Sequence, residues 1–89
     1  MKKRIVRNRL LELMQERERK MGRRMRQHDI AVFANVSDHT IIHWVRNETG
    51  RFDAETIERL CEYFNCQISD LLYFDYVEVE DETETPDGD

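Results

Sequence analysis

The 89-residue chain contains no apolar run approaching the ~20 residues that a helix needs to cross a bilayer, so no membrane span is expected. Its start, Met1-Lys2-Lys3-Arg4, passes into amphipathic, heavily charged sequence and not into an apolar segment, which excludes a secretory signal there. Glycine is scarce. The three present form no glycine-rich phosphate loop. The only serines, Ser37 and Ser69, both fall at apparent helix starts, and no nucleophile–base set accompanies them, so catalysis is not expected. Cys61 and Cys66 lie five apart in apolar contexts without CxxC spacing, and read as core thiols in a reducing compartment. A chain this short forms one small domain with a single core and no enclosed substrate chamber.

Charge, by contrast, is abundant and unevenly placed. The formal net charge of -5 would argue against a nucleic-acid partner if it were spread evenly. Up to Arg26, however, eleven basic residues oppose Glu12, Glu16 and Glu18, whereas from Arg51 onward only Arg51 and Arg59 oppose thirteen acids. Such asymmetry points to nucleic-acid contact at the basic end, with the overall acidity reporting mostly the tail.

Apolar periodicity divides the chain into helices. Residues 1–4 read as a basic arm, and Val6, Leu10, Leu13 and Met14 mark one face of a first helix over residues 4–20. Gly22 can end it, and Met25 anchors the connection to the core. Ile30, Ala31 and Ala34 give a short second helix its inward stripe. Asn35 suits a left-handed turn position, and Val36 can plug the corner behind it. Ser37 is an N-cap and Asp38 complements the helix dipole, after which Ile41, Trp44 and Val45 face inward. Asp38, His39, Ile42, His43 and Arg46 are left pointing outward. Two short helices joined by a tight turn make a helix-turn-helix. Further on, Asp53 caps a helix with a buried stripe of Ile57, Leu60, Cys61 and Phe64, ended by Asn65. A short helix over residues 69–72 closes the core with Ile68, Leu71 and Leu72. Phe74 to Val79 reads as extended and needs a strand partner: a second copy of itself, the N-terminal arm, or none. Residues 81–89 are acidic, carry Pro86 and Gly88, and read as disordered.

These residues resemble the Cro / lambda-repressor / xenobiotic-response-element family of bacterial and phage transcription regulators. The match is carried by Gln27, Ile30-Ala31, Val36-Ser37, Thr40-Ile41 and Arg46-Asn47, and by the closing helices from Asp53 to Leu72. Arg26 stands where the family usually offers Ser or Thr, and the connection before it is longer than usual. The resemblance implies an all-α, compact five-helix lambda-repressor-like domain over residues 5–72, with residues 73–80 as an extended acidic segment and possible dimerisation strand. It also implies sequence-specific binding of double-stranded DNA, as a regulator and in particular a repressor, in the cytoplasm at the nucleoid. The implied contacts are Gln27, Ser37, Asp38, His39, Thr40, His43, Arg46 and Asn47. Of these, Asp38, His39 and His43 face bases, while Gln27, Thr40, Arg46 and Asn47 lie near the DNA backbone. With Arg46 the recognition helix's one basic residue, non-specific affinity falls to the arginines of the first third. The arginines of the connection either touch phosphate or form a solvated loop, the second being the plainer reading.

Other features have duller explanations beside the sharper ones. His39 and His43, four apart, could hold a metal, but neither cysteine is near in the expected fold and no carboxylate pattern completes a site; surface histidines are the reading, with no metal and no cofactor. Val32 and Phe33 stand where the family is usually polar. They either mark a protein-partner site, as in an antitoxin-like or adaptor module, or lie under the long connection. The acidic tail is either an internal brake on the basic first helix or a solubilising terminus. Homodimerisation is expected through Tyr73–Val79 or the Phe33 side.

Overall fold

The computed structural model describes residues 1–79. In chain order it contains β1 (Lys2–Asn8), α1 (Leu10–Met21), α2 (Gln27–Ala34), α3 (Asp38–Val45), α4 (Ala54–Phe64), α5 (Ile68–Leu71) and β2 (Leu72–Glu78). The acidic segment of residues 81–89 lies outside the described residues.

Among the described residues five helices are present, but the expectation of an all-α domain is corrected by a two-stranded antiparallel sheet. β1 pairs with β2 from Lys2↔Glu78 to Asn8↔Leu72, so the N-terminal arm is the partner that the extended C-terminal segment needed. Residues 4–8, expected at the start of the first helix, belong to the strand. Ile5 and Val6 are β-branched and lose little in an extended chain, while the ladder to β2 satisfies their backbone groups; local amphipathicity gives way to this long-range pairing. Asn8 then ends the strand. Its buried side chain accepts from the Leu10 amide at 2.9 Å, satisfying a donor in the first turn of α1 that Arg9, at the N-cap, leaves uncapped.

The helices enclose one core. α1 buries Leu10 and Met14, α2 Ile30, Ala31 and Ala34, α3 Ile41 and Trp44, α4 Leu60 and Phe64, and α5 Leu71. Gly22 at φ 72° ends α1, its N–H donating to the Glu18 carbonyl at 2.8 Å. Met25 packs against the core as expected, and its N–H donates to the Glu18 carboxylate at 2.8 Å, which fixes the connection to α2. Asn35 and Asn65 adopt the left-handed conformation at φ 61° and 52°, and each closes its helix.

Several details depart from expectation. Thr56 is buried on α4, and Ile57 and Cys61 are only partly buried. Asp53 occupies the N-cap of α4 without a side-chain capping bond. α5 begins one residue early, at Ile68, which is exposed; its start is held by a reciprocal Gln67–Asp70 capping box and not by Ser69. Phe33 meets Tyr63 of α4, ring centres 5.0 Å apart, yet stays 38% exposed beside Val32 at 65%, so the long connection does not bury them.

Candidate nucleic-acid interface

α2 and α3 meet at a turn whose geometry follows from Asn35, Val36 and Ser37. Val36 is partly buried against the core, and its N–H donates to the Ala31 carbonyl at 3.0 Å. The Ser37 hydroxyl accepts from the Thr40 N–H at 3.1 Å and lies 3.0 Å from the Thr40 hydroxyl. A cap of this kind is worth about 1 kcal/mol and fixes where α3 begins. Ile41 and Trp44 then lock the inner face of α3, Trp44 meeting Phe52 edge-on at 5.2 Å. The opposite face is left to solvent.

On that outer face the side chains are organised among themselves. Asp38 is exposed and hydrogen-bonds His28 Nδ1 at 2.8 Å, which braces the start of α3 against α2. His39 and His43 bring their Nε2 atoms to 2.8 Å, and His43 Nδ1 lies 3.1 Å from Glu48 Oε1. Arg46, at the C-cap of α3, is exposed and has no ion-pair partner among the described residues. Gln27 is partly buried at the first position of α2. His28 and Glu48 went unnoticed in the sequence, because neither falls in a helical stripe or a motif.

Asn47 is placed differently from the rest. At φ 58° it ends the turn after α3, and its side chain faces inward to Asn8. Asn47 Nδ2 donates to the Asn8 carbonyl at 3.0 Å, and Asn47 Oδ1 accepts from the Asn8 N–H at 2.8 Å and from Asn8 Nδ2 at 3.2 Å. Asn8 Nδ2 also donates to the Trp44 carbonyl at 3.0 Å. Both functional ends of the Asn47 amide are therefore used within the fold. It fixes α3 to the strand–helix junction and has no part in the outer face.

Lys2, Lys3 and Arg4 are exposed on β1, and Arg23 and Arg24 are exposed in the connection just before α2. Several basic side chains are already engaged: Arg4 over the Phe74 ring at 4.6 Å, Arg7 with Asp75 at 2.9 Å, Arg26 with Asp29 at 3.2 Å, Arg9 over the Tyr73 ring at 4.1 Å. The arrangement is a short helix with a buried inner face and a largely polar outer face open to solvent.

Comparison with curated proteins found no match. Among solved structures, a transcriptional regulator from Listeria innocua is similar, at 25% identity and a TM-score of 0.56 over 92% of this chain and 73% of that one. The sequence profile of the Cro/C1-type HTH DNA-binding domain matches residues 9–75, from the Asn8 junction through both closing helices and into β2. With its turn at Asn35, its capped α3 and the profile spanning most of its length, the chain belongs to the family of Cro/C1-type helix-turn-helix DNA-binding domains.

Proposed function

We propose that this protein is a transcriptional repressor that reads a specific duplex DNA sequence with the outer face of α3. The observation that carries this reading is the exposure of Asp38, His39 and Arg46 on a helix whose opposite side is pinned by Ile41 and Trp44. His39 and His43 would meet base edges in the major groove. Arg46 and the start of α2 at Gln27 would meet phosphates, with Arg23 and Arg24 adding sequence-independent attraction. Ser37 and Thr40 engage their hydroxyls with each other and act mainly by holding the helix start. The similarity to the Listeria innocua regulator supports the regulatory role.

Two copies would act together on half-sites about one helical turn apart, since one such module buries little DNA surface. The front of the β1–β2 ribbon supports a joining role. Val6, Phe74 and Tyr76 share one face of it by register and are 41%, 58% and 58% exposed. An isolated two-stranded ribbon is only marginally stable, so covering this face stabilises both copies.

Selection of bound sequences from a random duplex library tests the reading. Enrichment of one motif by the native protein, and its loss in the His39→Ala/His43→Ala variant, is the expected result. Equal binding to all duplexes by the native protein contradicts it.

A further inference from the structure

The His39–His43 pair is hydrogen-bonded through its Nε2 atoms, and its rings are set in an arrangement that also suits a shared ion. Their Nε2 atoms are 2.8 Å apart, their ring centres 4.3 Å apart, and the ring planes cross at 86°. A straight N–H···N bond of that length would set the ring centres about 5 Å apart. The rings are instead bent about the line joining the two nitrogens. A metal ion about 2 Å from each nitrogen, with the two in neighbouring positions at a right angle, requires nitrogens about 2.8 Å apart and ring centres about 4.4 Å apart. Both distances fit that arrangement.

Three further features support it. The pair has the i, i+4 spacing that lets two histidines on one helical face grip a single ion, with Thr40 where a metalloprotease would carry its glutamate base, so the spacing binds without hydrolysing. His43 Nδ1 faces Glu48 Oε1 at 3.1 Å, which holds the proton on Nδ1 and turns the Nε2 lone pair outward. This carboxylate comes from the turn after α3, where the Glu48 N–H donates to the His43 carbonyl at 2.9 Å. It is the supporting group that linear spacing did not reveal. The site is also open to solvent, so water or another ligand can complete the coordination sphere.

We infer that His39 and His43 form a two-nitrogen chelating site for a divalent transition metal, of the Cu2+ or Ni2+ class, on the outer face of α3. The right-angle geometry and imidazole donors select those ions over Ca2+ or Mg2+, which take oxygen ligands. Among the described residues no third metal-binding side chain joins the pair, so the ion exchanges readily with solution. Because the same nitrogens face the groove under the proposed DNA reading, a bound ion and duplex DNA compete for them. That consequence rests on the DNA-reading proposal; the metal site does not.

Calorimetric titration of the full chain with Cu2+ and separately with Ni2+, in a weakly coordinating buffer, tests the site without DNA. The expected result is one ion per chain, at least tenfold weaker binding in His39→Ala and in His43→Ala, and a weaker loss of the same sign in Glu48→Gln. His28→Ala, which leaves the pair intact, binds as the native chain does, and circular dichroism confirms that each variant is folded. Absence of binding by the native chain, or unchanged affinity in both folded histidine variants, overturns the inference. Native metal binding accompanied by no DNA binding would sink the functional proposal and leave the metal site standing.

Discussion

Asn8 and Asn47 show how much one pair of side chains can decide. Asn8 is 3% exposed, and through it β1, α1 and the end of α3 are tied to one another. Removing its amide in Asn8→Ala strands the Leu10 amide and leaves the Trp44 carbonyl with only the Asn47 N–H, for an expected loss of about 2 kcal/mol in urea unfolding. Asn47→Gly separates bonding from backbone conformation. Glycine adopts φ 58° freely but cannot bond Asn8, so a comparable loss is expected; no loss would show that conformation alone mattered. Cys66 offers a second residue-level test. Burial, and then the neighbouring Cys61 thiol, push its pKa up from 9.0 to about 11. Its alkylation by iodoacetamide should therefore accelerate between pH 10 and 12, later than an ordinary thiol. The sign for stability follows. A folded pKa above the unfolded one stabilises fully below pH 9, and the contribution is lost as pH rises towards 11, with Cys66→Ser flattening that decline. The sequence identified both thiols as belonging to the core region but gave no sign of the Asn8–Asn47 bonds. Residue type and family position suggest a DNA contact, and only the fold reveals that its amide is already used.

The elements were legible wherever local chemistry decided them. Asn35 and Asn65 mark their turns through left-handed conformations that few other residues adopt, Ser37 marks its own through its capping hydroxyl, and the stripes of α2 and α3 are where periodicity puts them. β1 was legible only as one of three possible partners for the C-terminal segment, because a strand at one end of a chain depends on a partner at the other. Its residues carry an amphipathic pattern that suits a helix until β2 is in place. The outer ribbon is also exposed on both strands, at Lys2 to Arg4 and at Tyr76 and Glu78. Hydrogen exchange should consequently be fastest at the outer ribbon, Lys2 to Arg4 and Tyr76 to Glu78, and slowest at Ile41, Trp44 and Leu60. If two copies join through Val6, Phe74 and Tyr76, ribbon protection rises with protein concentration, and Phe74→Lys removes that rise. Protection independent of concentration would place the joining surface elsewhere.

Across the whole molecule, a net charge of -5 coexists with a basic N-terminal third. The sequence announced that division, and the fold places Arg23 and Arg24 in the connection leading into α2. DNA affinity should fall steeply as salt rises, and Arg23→Ala/Arg24→Ala should flatten the log–log slope by about 1 for each phosphate left without its arginine. An unchanged slope would mark these arginines as a solvated loop. The most direct test of α3 as the reading element is a two-dimensional amide NMR titration of the labelled protein with a selected duplex. Resonance changes are expected to concentrate at His39, His43 and Arg46 and at the start of α2. Changes confined to the ribbon or to α4, with α3 unperturbed at saturation, would contradict it.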